Sequence, residues 1–233
     1  MAHASFSYLF CGEGNAAREL HRTAARVVVP AGKIVFFEGE RADIVFGLSE
    51  GTVRLFKPLP NGGRQIVALA LPGELLEMPT VEQHRHSATA IGEVELYRFP
   101  RDQLLAHILS SAQLTNLLLG FASRQLNLAR DQMMMLGNGS AEKRVLLFLT
   151  MWRDRMAALK PFQQYLPLPM MRQDIADFLG LRLETLGRTL AKLEAKNIIR
   201  IVPKGVVLTG RDRAAQAALP VPLPQGSRGI RAY

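Results

Sequence analysis

The 233-residue chain contains a single cysteine, Cys11. That excludes an internal disulfide framework, and it excludes an iron–sulfur cluster or zinc site held by the cysteines of one chain. Long apolar runs are missing as well, none approaching the roughly 18 residues of a membrane span. The first eleven residues hold no lysine or arginine. No secretory signal is therefore read at the start, and a reducing cytoplasm is the expected location. There is no nucleophile–base constellation, no glycine-rich phosphate loop and no metal-ligand set, so neither an enzyme nor a bound cofactor is expected. Apolar residues, by contrast, make up 48% of the chain, too large a share for a disordered polymer.

The 29 Lys and Arg outnumber the 20 Asp and Glu, and the surplus is not spread evenly. Residues 1–140 carry 13 charges of each sign, whereas residues 141–233 carry 16 basic and 7 acidic side chains. Such asymmetry implies two modules with different tasks, the second facing a polyanion such as nucleic acid or an anionic membrane. Charge alone does not separate that from a solvated basic surface.

From Ala25 to Phe99 the sequence reads as short β-branched and aromatic runs between Gly, Pro and Asp, the pattern of an all-β sandwich or barrel. Expected strands are Val27–Val29, Ile34–Phe37, Ile44–Leu48, Thr52–Phe56, Gln65–Leu71 and Val94–Phe99, with turns at Glu38-Gly39-Glu40, Glu50-Gly51 and Asn61-Gly62-Gly63. The last of these is the strongest hairpin signal, because its residues tolerate the positive φ of a tight turn.

Phe37-Glu38-Gly39-Glu40, Ala42-Asp43, Leu48-x-x-Gly51-x-Val53-Arg54-Leu55 and Leu71-Pro72-Gly73-Glu74 together resemble the sensor domain of the CRP/FNR superfamily of transcription regulators. The resemblance implies a cyclic-nucleotide-binding-type jelly roll. In members that bind a nucleotide, the loop after Gly-Glu ends in Arg-Ser or Arg-Thr, whose guanidinium pairs with the cyclic phosphate. Here His86 stands directly before Ser87 and Arg85 is one place off, which in an extended segment turns it to the opposite face. Nucleotide binding is therefore not expected, and His84-Arg85-His86-Ser87-Ala88 resembles the FixK-like branch. His84 and His86 could share a ligand on one strand face, but no carboxylate or thiol accompanies them at a matching spacing, so they are read as partly exposed loop residues. His21 and His107 are isolated. Oxygen sensing of the FNR type uses a group of cysteines that is absent, which leaves Cys11 ordinary. The alternative is a jelly roll that senses a small molecule or haem directly.

Residues 112–136 contain no proline and one glycine. Leu114, Leu118, Phe121, Leu128 and Met135 recur at coiled-coil spacing, with Gln125 and Gln132 as polar interruptions, and a second stripe through Leu117, Phe121 and Leu128 faces the barrel. A helix that merely covers the core would show the same period. The family resemblance implies that this helix dimerises the protein. Met133-Met134-Met135 reads as adaptable packing, and Gly137-Asn138-Gly139-Ser140 as a hinge, with Ser140 starting the next helix.

Beyond it, 141–159 is a helical pattern with Val145, Leu146, Phe148 and Leu149 on the apolar face, ended by Pro161, Pro167 and Pro169. The segment 171–190 fits a helix-turn-helix: small Ala176 lets the helices approach, Gly180 makes the turn, and Ile175, Leu179, Leu186 and Leu190 form a shared core. Leu186, Leu190 and Leu193 mark the buried stripe of the second helix, leaving Glu184, Arg188 and Lys192 in line on the open side. In a major groove an arginine can donate twice to guanine, and a glutamate can accept from cytosine. Glu184-Thr185-x-x-Arg188 resembles the Glu-x-x-Ser-Arg reading motif of the FNR and FixK branches, which implies that Glu184 and Arg188 read an inner TGA core. Gly187 stands in place of that serine, and Leu183 where CRP has an arginine. Ile198–Val202, the Pro203-Lys204-Gly205 turn and Val206–Thr209 form the hairpin of a winged helix. Lys192, Lys196, Arg200, Lys204, Arg211 and Arg213 are expected along DNA phosphates, and Arg182, Thr185 and Gly187 complete the DNA-facing set.

The expected architecture is α+β. Residues 1–24 form an N-terminal segment, 25–110 the jelly roll, 111–136 the dimerisation helix, 137–140 the hinge, 141–218 the winged helix-turn-helix, and 219–233 a flexible tail. Leu166–Met170, Asp174-Ile175 and Leu179-Gly180-Leu181 strengthen the FixK-like resemblance. It implies a homodimeric, sequence-specific DNA-binding regulator that binds a palindromic site, meets RNA polymerase and activates genes for low-oxygen respiration, denitrification or nitrogen fixation, with no membrane involvement.

Overall fold

The computed structural model describes residues 24–159 and 165–209. Cys11, His21, Pro161, Arg211, Arg213 and the tail from residue 219 lie outside the described residues. The first half is an antiparallel sheet of β1 (Ala25–Val29), β2 (Ile34–Phe36), β3 (Ile44–Pro58), β4 (Arg64–Ala70) and β5 (Ser87–Pro100). Its order is β1-β5-β3-β4, with β2 also paired to β5. Alternation puts Leu48, Val53, Leu55, Val94 and Leu96 inside, all nearly inaccessible.

The strand expectations hold in type but not in every break. Glu50-Gly51 does not reverse the chain, because β3 runs straight through it and the register with β5 merely slips there. Gly51 absorbs the slip at φ 90°, where a Cβ would stand 2.8 Å from the Glu93 carbonyl oxygen. The Asn61-Gly62-Gly63 hairpin forms as expected, with Leu59 N donating to Gly63 O at 2.8 Å and Gly63 N to Asn61 Oδ1 at 3.0 Å. β5 starts at Ser87, seven residues before the apolar run at Val94 that marked it in the sequence.

Helix α1 (Arg101–Ser110), which the sequence reading passed over, turns into α2 (Ala112–Gly137) at Ser111, whose side chain accepts from Leu114 N. Here the seam expectation is corrected. Leu114, Leu118 and Phe121 are buried within the chain, against Val45, Leu75, Phe99, Leu104 and Ile108. Met135 is buried with the second half, and Gln132 donates to the carbonyls of Ile66 and Phe178 at 2.8 and 3.3 Å. The exposed heptad series is Leu119, Leu126 and Met133, 60%, 52% and 70% accessible. Two seven-residue series run along one helix, and periodicity does not tell which of them the barrel covers. No single helix among the described residues is long and apolar enough to cross a membrane.

α2 stops at Gly137, and Ser140 caps α3 (Ala141–Ala157), its Oγ accepting from Lys143 N. There follow β6 (Tyr165–Pro167), α4 (Arg172–Leu179), α5 (Leu183–Ala195), β7 (Ile199–Val202) and β8 (Gly205–Leu208). β6 pairs with β8 to give a three-stranded sheet of order β6-β8-β7, one strand more than the expected hairpin. Trp152 of α3, fully buried, donates from Nε1 to Pro167 O at 2.9 Å. One apolar cluster runs from Ile66, Leu69 and Leu71 of the first half through Phe148 and Trp152 to Ile175, Leu186 and Val206.

Candidate nucleic-acid interface

The two helices α4 and α5 meet as the sequence spacing requires. Ile175, Ala176, Leu179, Leu186, Leu190 and Leu193 are all buried, and Gly180 takes φ 60°, ψ 38° to end α4. Burial of one stripe leaves the opposite face of α5 free: Arg182, Leu183, Glu184, Arg188, Ala191, Lys192, Ala195 and Lys196 are exposed. Arg182 sits at the N-cap and Glu184 in the first turn, where the helix dipole favours its carboxylate. Arg188 lies one turn further along the same face, and among the described residues neither Glu184 nor Arg188 is drawn into an ion pair. Thr185 is half-buried, its carbonyl accepting from Thr189 Oγ1 at 2.7 Å. A Cβ on Gly187 would meet nothing within 4 Å, so internal packing does not demand a glycine there.

Lys192 departs from the free line. Its Nζ lies 2.9 Å from Glu142 at the start of α3, and Lys196 bonds the other oxygen of the same carboxylate. The hydrogen bond from Lys196, then that from Lys192, holds the Glu142 carboxyl below its ordinary value. Exposed pairs of this kind contribute about 0–1 kcal/mol, so a phosphate competes readily for either lysine. Lys204 stands at the wing tip, exposed, with φ 58°. The turn carrying it is pinned by Tyr165, whose hydroxyl donates to Lys204 O at 3.1 Å. Arg200 is exposed on β7. The structure therefore brings Arg182, Glu184, Arg188 and Lys192 onto one helix face, with Thr185 and Gly187 beside it and Lys204 on a separate projection.

The loop before β5 corrects one expectation. His84 is not a partly exposed loop residue: it is 5% accessible, stacks on Phe36 at 3.7 Å between centroids, and its Nδ1 lies 2.6 Å from Glu77 Oε2. A carboxylate does accompany the histidines, brought from seven residues upstream by the fold of the loop. Glu77 Oε1 also accepts from Arg85 N at 2.8 Å and lies 3.8 Å from His86 Nδ1. Burial, first, holds the half-buried His86 below its ordinary value, partly opposed by Glu77. Arg85 is exposed between the two inward-facing rings. Among the described residues no group of three His, Cys, Asp or Glu could hold a metal ion.

Two family models match the chain: a cyclic nucleotide-binding domain over residues 26–111 and a Crp-like helix-turn-helix domain over residues 143–215. The chain is 46% identical over 198 residues to the transcriptional activatory protein AadR of Rhodopseudomonas palustris, covering 84% of this chain and 83% of that one. It is 42% identical over 191 residues to the nitrogen fixation regulation protein FixK of Bradyrhizobium diazoefficiens, covering 82% and 81%. The solved structure of FixK2 from Bradyrhizobium japonicum is similar with a TM-score of 0.76 at 31% identity, over 83% of this chain and 96% of that one. With the sensor-type sheet, the long helix and the winged helix-turn-helix in this order, the chain belongs to the CRP/FNR family of transcription regulators, in its FixK-like branch.

Proposed function

We propose that the protein acts as a homodimer that binds a palindromic, TGA-containing site and activates genes for low-oxygen respiration, denitrification or nitrogen fixation. The observation that carries the reading is the free face of α5: Glu184 and Arg188 stand exposed one turn apart while Leu186, Leu190 and Leu193 anchor the helix from behind. Arg188 donates to guanine and Glu184 accepts from cytosine. Arg182, Thr185, Lys192 and Lys204 hold the backbone, and Gly187 leaves the groove edge room to approach. The exposed Leu119, Leu126 and Met133 form the seam to a second copy, which sets two recognition helices about 34 Å apart, one turn of DNA. The division of labour follows the sequence: 25–110 sensor-like, 111–136 dimerising, 137–140 hinge, 141–218 DNA-binding.

The sensor-like half works without a cyclic nucleotide, a reading supported by the exposure of Arg85 and by the use of the inner loop positions by the Glu77–His84 pair. A cytoplasmic regulator that meets RNA polymerase, does no chemistry and uses no membrane fits these features. Footprinting on genomic fragments tests the reading: protection of TGA palindromes is expected, and a protein that protects none of them would refute it.

A further inference from the structure

Away from the DNA-facing surface, α4 is tied to the sensor-like half by charges that neither base reading nor the fold's apolar core accounts for. Asp174 is fully buried, and its Oδ1 accepts from Arg54 Nη1 of β3 at 2.9 Å and from Arg64 Nη2 of β4 at 2.7 Å. Its other oxygen accepts from Met171 N at 3.1 Å, where α4 begins. Nearly one turn on, Asp177 Oδ2 accepts from Arg64 Nε at 2.7 Å, and Gln65 Nε2 donates to the Asp177 carbonyl at 2.7 Å. Burying such a set is costly enough that apolar residues would hold the two surfaces together as well or better, and Ile66 and Phe178 already make an apolar join there. Arg54 Nε is even left buried without a hydrogen-bond partner. What a planar guanidinium adds is direction. Arg64, bridging carboxylates three residues apart on α4, fixes both the rotation of that helix about its axis and its position along β4.

We infer that Arg54, Arg64, Asp174 and Asp177 are positioning residues for DNA binding, an orienting clamp that sets the angle at which α5 is presented. α4 and α5 share the core of Ile175, Leu179, Leu186 and Leu190, so holding one holds the other. Arg182, Glu184 and Arg188 remain exposed while the clamp is closed, so the clamp leaves the reading face of α5 open to DNA. In the dimer the clamp fixes the distance between two recognition helices. The inference rests on the palindrome-reading dimer proposed above.

The test uses the full chain as wild type, Arg64→Gln, Asp177→Asn and the double variant. Their side chains are 24% and 12% accessible, against 1% for Asp174, so they are the members whose replacement the fold tolerates best. Binding is measured to a TGA palindrome, to the same palindrome with base pairs inserted between the half-sites, and to a single half-site. Wild type should lose roughly 100-fold when the spacing changes, since only one recognition helix then engages. Each variant should shrink that penalty to less than about tenfold by weakening on the correctly spaced site, with single-half-site affinity unchanged and the double variant no worse than either single one. Should Arg64→Gln fail to melt cooperatively, Gln65→Ala, which removes a neutral bond of the same clamp, carries the comparison. Folded variants that keep the wild-type spacing penalty would overturn the clamp. A wild type that prefers no palindrome over a single half-site would overturn the dimeric reading, and the clamp with it, so the two failures are told apart by the wild type alone.

Discussion

Arg188 and Lys204 carry the same charge and should fail differently when lost. Arg188 is exposed on the helix face proposed to enter the groove, and Lys204 is exposed at the wing tip. Arg188→Ala should cost about 1–3 kcal/mol on the preferred site and flatten the preference at its guanine, whereas Lys204→Ala should weaken all sequences alike and lower the salt slope by about one. Titrations on matched and mutated sites at several salt concentrations separate the two, and identical losses of specificity would contradict the assignment. Gly187 offers a check from stability. Its Cβ position is open and a helical glycine is about 0.5–1 kcal/mol worse than alanine, so Gly187→Ala should raise the melting temperature while reducing DNA affinity. His86 adds a pH dependence. Because burial holds its folded-state value below the ordinary 6.5, the unfolded chain takes up a proton first as pH falls. The folded state is then fully stable above that value and loses stability progressively below it. His86→Gln should flatten the melting temperature between about pH 7 and 5.

Within α2 the two faces have separate tasks in the proposed dimer, one packing on the barrel and one pairing with a second copy, and substitutions should separate them. Leu126 is 52% accessible and Leu118 9%. Leu126→Glu should leave the melting temperature of the chain close to wild type yet shift sedimentation to the monomer, and DNA affinity should fall with it. Leu118→Ala should instead cost about 2–5 kcal/mol of stability through the cavity it leaves. The same helix shows how far the sequence could be read. Its extent, its heptad period and its C-terminal break were legible from the pattern of leucines and the Gly137–Ser140 run, whereas the turn from α1 at Ser111 was not. The side that the barrel covers was not, because that depends on Val45, Leu75 and Phe99, far away in the chain. The helix-turn-helix was legible in full, since Ala176, Gly180 and the leucine stripe are local signals with one geometric meaning. β6 was hidden in a proline-rich stretch, and Glu77 reaches His84 only through the path of a loop. The Arg64–Asp174 pair joins residues 110 positions apart, and no periodicity links them.

At the scale of the whole molecule, the net charge of +9 has become an address. The basic half carries the Crp-like helix-turn-helix, where Lys192 and Lys196 share the Glu142 carboxylate; in the proposed reading the neutral half pairs two copies and DNA phosphate replaces Glu142. The apolar cluster and the ion pairs that cross between the halves make the presentation of α5 a property of the entire fold. Selection of bound DNA from a random pool by the purified full-length protein, followed by sequencing, bears on this most directly. The selected sequences should converge on a palindrome with TGA in each half, and the guanine preference should vanish for Arg188→Ala. A pool that stays random, or a palindrome unchanged by Arg188→Ala, would contradict the reading.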